Sequence, residues 1–199
     1  MAATIRLATI ADGPDLAAIY APAVAGRATS FELEAPDGVE MGARVERLMA
    51  RTPWLVCAHG GSVVGYAYAS PHRDRAAYQW SVEVSAYVRD DVRRVGVAHG
   101  LYTSLFAVLA LQGFQNAYAG ITLPNAASVG FHEALEFTRV GVYRNIGYKL
   151  GAWHDVLWLE RAIGSHPVDP ALPTPLPAVR DSSTFSNALA AGLPLLRVI

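Results

Sequence analysis

The sequence predicts an α+β fold in which a mixed, mostly antiparallel central sheet is flanked by helices. Three observations carry that expectation. Strand-length apolar runs recur along the chain, among them "IRLAT", "WLVCAH", "WSVEVSAYV" and "WHDVLWLER". Two such runs flank His59-Gly60-Gly61-Ser62, whose paired glycines suit a hairpin turn. Between strands, residues 97–112 set Val97, Leu101, Leu105, Val108 and Leu111 on one helical stripe that stops at Gly113.

The first strand, "IRLAT", is followed by "DGPDLAAIYAPAV", a helix with Asp12 as N-cap and Pro14 in its first turn. Residues 37–50 form a surface helix whose apolar face runs through Met41, Val45, Leu48 and Met49. The two hairpin strands come next, then "YQWSVEVSAYV", then the long helix. "AYAGIT" is a short strand, "NAASVGFHEAL" a short helix, and "RVGVYR" and "WHDVLWLER" are the closing strands. Residues 1–163 therefore read as one domain. The remainder, 164–199, holds six of the twelve prolines without a sustained period, and this Pro- and Ala-rich tail is expected to be extended or disordered. Its apolar end, "LAAGLPLLRVI", is suited to docking on the domain or on a partner.

At 199 residues the chain can bury a substantial core. Cys57 is the only cysteine, so no intramolecular disulfide and no cysteine-based zinc site can form within the chain. Sixteen basic residues balance seventeen acidic ones, which points away from nucleic acid and from anionic membranes. The start "MAATIRLATI" lacks the pattern of a secretory signal, and no run reaches the ~18 apolar residues of a membrane span. A cytoplasmic protein is expected.

The stretch "VRDDVRRVGVAHG", residues 88–100, joins a strand to the long helix. A strand ending at Val88 and a helix beginning near Gly96 leave free N–H groups at the turn. The helix dipole adds partial positive charge, Gly96 and Ala98 keep side chains away, and Arg93 and Arg94 add cations. A diphosphate suits such a turn. No lysine follows the glycine, and G-x-G-x-x-G is absent, which argues against nucleotide hydrolysis and dinucleotide binding. Taken alone, the same residues also fit a plain helix start with two solvated arginines.

"RRVGVA" has the form R-x-x-G-x-A between a strand and an amphipathic helix, where the GNAT acetyltransferase superfamily carries its acetyl-CoA motif. The chain resembles that superfamily from about Ile5 to Arg161. Within it, the phosphinothricin and methionine sulfone/sulfoximine N-acetyltransferase branch is similar in "PWLVCAHGGSVVGYAYASPHRDRAAYQWSVEVSAYV", "LYTSLFAVLALQGFQNAYAGITLPNAASVGFHEAL" and "RVGVYRNIGYKLGAWHDVLWLERAI". The resemblance implies the GNAT acyl-CoA N-acyltransferase fold, acetyl-CoA as co-substrate, a small amino-acid-like acceptor, a detoxification-like role and a homodimer. Backbone groups of Ala86, Tyr87 and Val88 would pair with the pantetheine arm. The turn Arg93, Arg94, Val95, Gly96, Val97, Ala98 and His99 would cradle the pyrophosphate, with Asn125 and Ser128 touching the cofactor from "LPNAAS".

Acetyl transfer to an amine needs a neutral nitrogen, a polarised thioester carbonyl and a proton for the departing thiolate. Alternation sets Glu83 on the strand face opposite Val82 and Val84. An exposed-face glutamate paired with an arginine explains it as well as a general base does; the resemblance favours the base, acting directly or through water. His132 in "SVGFHEAL" stands where the branch carries a histidine expected to protonate the thiolate, against the alternative of a histidine packing a short helix. Tyr87 and Tyr143 are further donors. His154 and Asp155 lack metal-ligand spacing and read as strand-end residues, and no metal is expected.

"SPHRDRAAY" offers two arginines whose forked donors suit a carboxylate or phosphinate. The resemblance makes Arg73, Asp74 and Arg75 substrate contacts, with Glu83, Val84 and Ser85 beside them and Phe31 lining the same pocket. Each arginine alone is equally well a solvated surface group. Glu136 departs from the branch, replacing a glycine suited to a left-handed helix end. The competing readings are acetylation of a peptide N-terminus or polyamine and a non-catalytic acetyl-CoA sensor.

Overall fold

The computed structural model describes residues 3–197. Its strands are β1 (Thr4–Leu7), β2 (Trp54–His59), β3 (Ser62–Pro71), β4 (Ser81–Val88), β5 (Asn116–Thr122), β6 (Thr138–Lys149) and β7 (Ala152–Ala162). Its helices are α1 (Gly13–Ala25), α2 (Gly38–Met49), α3 (Val97–Gln112), α4 (Ala126–Ala134), α5 (Leu176–Val179) and α6 (Ser183–Ala190). The sheet order is β1-β2-β3-β4-β5-β7-β6, antiparallel throughout except for the parallel pair β4 and β5. That pair needs a crossover, and α3 supplies it.

The unbroken apolar run of β2 follows from cover on both faces. Leu55 and Cys57 pack with α3, through Leu101, Leu105 and Leu109. Trp54 and Val56 pack on the other face with Leu16, Ile19 and Tyr20 of α1 and Met41 and Val45 of α2. Burying each such leucine contributes roughly 1.5–3 kcal/mol. The hairpin turn between β2 and β3 is where the sequence sets it, with Gly60 and Gly61 at φ 60° and 87°.

The first helix differs in its cap. A short 3-10 turn, Ile10–Asp12, precedes α1, and the Asp12 carboxylate accepts from Arg6 at 2.6 and 2.8 Å and from the Thr9 N–H at 2.7 Å. Asp12 is the N-cap residue of α1, as expected, but its side chain ties β1 to the turn and makes no cap bond to the helix. The closing strands are longer than "RVGVYR" and "WHDVLWLER", because β6 continues through an irregularity between Tyr143 and Gly147 before the Leu150-Gly151 turn.

From Leu176 onward the described tail is helical and docked, not extended or disordered, while residues 164–175 carry no helix or strand. Helices α5 and α6 and a final turn, Leu193–Leu195, lie along α3, with Leu176 and Phe185 buried against Val108. The Gln112 side chain donates to the Thr174 carbonyl at 2.8 Å, and Ser104 Oγ donates to Leu189 O at 2.7 Å and accepts from the Gly192 N–H at 3.0 Å. Prolines interrupt any helical period there, so contacts with α3 take the place of local pattern. Cover from the tail also explains why α3 buries Ser104 and Gln112 outside the expected stripe. Tyr102, Phe106 and Leu109 are buried in the main core instead, and Leu111 of the stripe is exposed.

Candidate active site

Parallel pairing of β4 with β5 covers Ser81↔Asn116, Val82↔Ala117 and Glu83↔Tyr118, and then stops. Beyond Glu83, β4 stays with β3 as far as Gly65↔Val88, and β5 stays with β7 as far as Thr122↔Val156. The two strands therefore splay. The edge of β4 that faces β5 past Glu83 carries backbone groups without a ladder partner in the sheet, and it borders a cleft of about 710 Å³. Ser85, Ala86, Tyr87 and Val88 form one wall, Ala119 to Thr122 the other. An extended, amide-bearing arm is the ligand that such an edge can pair with.

At the far end of β4 the chain turns into α3. Arg94 and Gly96 take left-handed backbone conformations, at φ 65° and 87°, and Gly96 is the N-cap of α3. The first helical bond is Gly100 N–H to Gly96 O at 2.8 Å, so the N–H groups of Val97, Ala98 and His99 have no carbonyl one turn back. Arg93 is ion-paired with Asp90, which also accepts from Arg27 at 2.9 Å. Arg27, Arg93 and Arg94 face the cleft against the single acidic residue Asp90. Free amides, a helix N-terminus and excess cations fit a diphosphate. With the open strand edge leading away from them, they fit acetyl-CoA, whose pantetheine arm and diphosphate are consecutive.

Of the residues expected at the cofactor, Ala86, Tyr87, Val88, Arg93, Arg94, Asn125 and Ser128 line this cleft. Gly96, Val97, Ala98 and His99 line an adjoining one of about 610 Å³. Val95 lines neither cleft; it packs against the core, and its carbonyl accepts from the Arg197 N–H at 2.9 Å. Asn125 is also the N-cap of α4, its Oδ1 accepting from the Ser128 N–H at 3.1 Å.

Glu83 sits on the face opposite the buried Val82 and Val84, as alternation predicts. It is not an isolated carboxylate. His72 Nδ1 lies 3.0 Å from Glu83 Oε1, and Arg73 donates to the same oxygen at 3.4 Å. The His72 ring stacks on Tyr118 with centroids 4.4 Å apart, and the Arg73 guanidinium lies 5.8 Å from the Trp158 ring centre. Sequence reading passed over His72; its only signal is adjacency to the arginines of "PHRDR".

His132 is buried and lines the cleft. Its Nδ1 is 2.8 Å from Ser128 O, and because a carbonyl only accepts, Nδ1 carries the proton. Nε2 then presents a lone pair to the Tyr102 hydroxyl 3.3 Å away. Burial pushes the imidazole pKa down, with the Ser128 carbonyl acting in the opposite direction. His132 is therefore neutral at pH 7 and, in this tautomer, accepts at Nε2. Tyr102, hidden among the apolar positions of α3, is a second cleft residue absent from the sequence reading. Tyr87 lies against Tyr20 and Tyr66 beside the cleft, and Tyr143 is exposed on β6 next to Trp158.

The substrate residues divide. Arg73, Asp74 and Arg75 all line a separate depression of about 260 Å³ beside Phe114, and of the three only Arg73 also reaches Glu83. Val84 and Ser85 border the large cleft. Phe31 packs on Gly147 and His154, on a loop pinned where Lys149 Nζ donates to Ser30 O at 2.7 Å. His154 Nε2 lies 3.0 Å from Lys149 O, and Asp155 accepts from the Asn145 N–H at 2.8 Å, both strand-end contacts. Among the described residues, no group of three or more His, Cys, Asp or Glu could hold a metal ion.

Comparison with known proteins places these features in a family. Residues 5–158 match the acetyltransferase (GNAT) domain. A phosphinothricin N-acetyltransferase of Streptomyces viridochromogenes is 41% identical over 157 residues, covering 79% of this chain and 86% of the relative. An L-methionine sulfoximine/L-methionine sulfone acetyltransferase of Pseudomonas paraeruginosa is 36% identical over 165 residues, covering 80% of this chain and 94% of the relative. The crystal structure of a GNAT-superfamily phosphinothricin acetyltransferase from Sinorhizobium meliloti in complex with acetyl-CoA superposes with a TM-score of 0.81 at 32% identity, covering 86% of this chain and 94% of that one.

Proposed function

The chain belongs to the GNAT acetyltransferase family and is an N-acetyltransferase that uses acetyl-CoA; from that premise we propose that it acetylates the α-amino group of a small amino acid analogue at Glu83. The observation that carries the proposal is the position of Glu83 at the apex of the splay, where pairing of β4 with β5 ends. The relatives named for phosphinothricin and for methionine sulfoximine and sulfone support the choice of acceptor.

Acetyl-CoA supplies the acetyl group as a thioester. The residues of this chain do the rest. The open edge of β4 holds the extended arm and polarises the reacting carbonyl with backbone N–H. Glu83 takes a proton from the incoming ammonium or amine, with His72 and Arg73 fixing the oxygen that accepts it. Arg73 uses Nη1 on Glu83, and the other donors of its forked guanidinium are available to an acceptor's carboxylate, the role first expected of Arg73 and Arg75 together. Across the cleft, the Tyr102 and His132 pair carries the proton needed by the departing thiolate, with Tyr102 holding it in the resting arrangement.

A homodimer belongs to this proposal. Edge strand β6 and its partner β7 expose Val140, Val142, Tyr143, Ile146, Tyr148 and Trp153, an apolar surface that a second copy would cover. Light scattering on the wild type and on Trp153→Glu reads this directly, with a dimer expected for the first and a monomer for the second. We place the enzyme in the cytoplasm; no described helix is long and apolar enough to cross a membrane, and Cys57 is buried and unpaired.

The test is thiol release from acetyl-CoA with phosphinothricin, methionine sulfone, methionine sulfoximine, ordinary amino acids, spermidine and a short peptide. Fast release confined to the first three supports the proposal. Preference for the peptide or spermidine overturns the acceptor, and release with none alongside tight cofactor binding points to a sensor.

A further inference from the structure

The end of the tail lies on the turn that faces the diphosphate. Arg197 donates its N–H to Val95 O at 2.9 Å, and Gly96 approaches the chain so closely that a Cβ there would stand 2.0 Å from Leu195 O. One helical turn on, a Cβ at Gly192 would stand 1.8 Å from Gly100 O. Two glycines on α3 and its cap thus accept the tail backbone at contact distance. The fit extends from the N-terminal turn of α3 to Val108, where Leu176 and Phe185 are buried.

This docking builds the second cleft. Pro194, Leu195 and Arg197 form one of its walls, while Phe131 and His99 stand on the body of the domain. The two clefts share Val88, Arg93, Arg94 and Phe131, so one continues into the other across the turn. A coenzyme A molecule whose diphosphate sits at that turn sends its pantetheine arm along β4. Its other end must leave in another direction, and that end is an aromatic base with a 3′-phosphate. The second cleft offers apolar surface from Phe131, Pro194 and Leu195, and cationic or ionisable side chains from Arg94, His99 and Arg197.

We infer that residues 193–197 form a wall of the binding site for the 3′-phosphoadenosine end of acetyl-CoA, with Arg197 as a partner of the 3′-phosphate. The inference rests on the assignment of the Arg93 to His99 turn to the diphosphate. The matched family domain ends at residue 158, so this wall comes from a segment outside it. The tail is then part of the cofactor site, contributing affinity for the end of the molecule that does no chemistry.

Calorimetric titration of the full chain with coenzyme A and with 3′-dephospho-coenzyme A tests this without turnover. Arg197→Ala is expected to weaken coenzyme A about three- to fivefold, as for an exposed ion pair, and to leave the dephospho compound unchanged. Arg197→Glu should weaken coenzyme A further, and both effects should shrink in high salt. A chain ending at Ala191, with its melting temperature checked, should bind both compounds more weakly through loss of the apolar wall. Wild-type affinities in Arg197→Ala overturn the phosphate contact. Tighter binding by the shortened chain overturns the wall and makes the tail an obstructing strap. Failure of the wild type to bind either compound overturns the diphosphate turn, and the inference with it.

Discussion

Glu83 and Tyr118 are the last pair of the parallel ladder between β4 and β5, and the gap that opens after them borders the large cleft. His72 joins the two, stacking on Tyr118 with centroids 4.4 Å apart while its Nδ1 lies 3.0 Å from Glu83 Oε1. The end of the strand ladder thus brings the open edge of β4 and the Glu83 carboxylate together, which is the arrangement the proposed mechanism uses.

In the proposed mechanism His72 is a positioning residue for Glu83. Replacing it by Ala leaves Glu83 Oε1 with only the longer contact from Arg73 and should lower kcat about tenfold, less than the ~10²–10⁴ that loss of a general base itself costs. KM for acetyl-CoA should be unchanged, because His72 does not line the cofactor cleft. The pH profile of kcat should also move, which a merely structural role would not cause. His72→Asn, which keeps a donor near that position, should recover part of the loss.

His132 makes stability depend on pH. Burial lowers its pKa in the folded protein below the ordinary value of about 6.5, so the unfolded chain binds more protons between the two values. Its contribution is complete above about pH 6.5 and is lost as pH falls through the folded value. The melting temperature should decline between pH 7.5 and 5.5, and the decline should be shallower in His132→Gln. Differential scanning calorimetry across that range checks the sign.

Glu136 occupies a left-handed backbone conformation, φ 65°, where a glycine carries no steric cost. Glu136→Gly should stabilise the protein by about 0.5–1 kcal/mol after the greater entropy of unfolded glycine is counted. Its contact with Arg161, at 3.4 Å, is exposed and offsets little of this. Urea unfolding of the two forms measures the difference.

Phe185 tests whether the tail is part of the fold. Its ring is buried with Leu176 against Val108, and Phe185→Ala should cost about 3 kcal/mol if the tail unfolds together with the domain. Unchanged global stability with early loss of α6 protection in hydrogen exchange would separate the two.

The sheet was legible because alternation and the two-glycine turn act locally. The splay was legible only through the family motif, since no residue between Glu83 and Val88 signals that a ladder stops. Tyr102 was hidden because it shares α3 with core residues at the same spacing. His72 was hidden because its partner is on another strand. The docked tail had two readable signs, its apolar end "LAAGLPLLRVI" and the composition of α3. Residues 97–112 contain no Asp, Glu, Lys or Arg, and a helix without a charged face is one covered on all sides. What covers it depends on glycines at 96, 100 and 192, whose meaning appears only when the backbones they admit are in place.

The most direct test of the account compares Glu83→Gln with the wild type in two readings on the same samples, acetyl-CoA affinity and thiol release with phosphinothricin as acceptor. The predicted result is affinity within about twofold and turnover lower by about 10² or more, the signature of a lost base at an intact cleft. Equal turnover in the two forms would remove Glu83 as the base and contradict the placement of the chemistry at the apex of the splay.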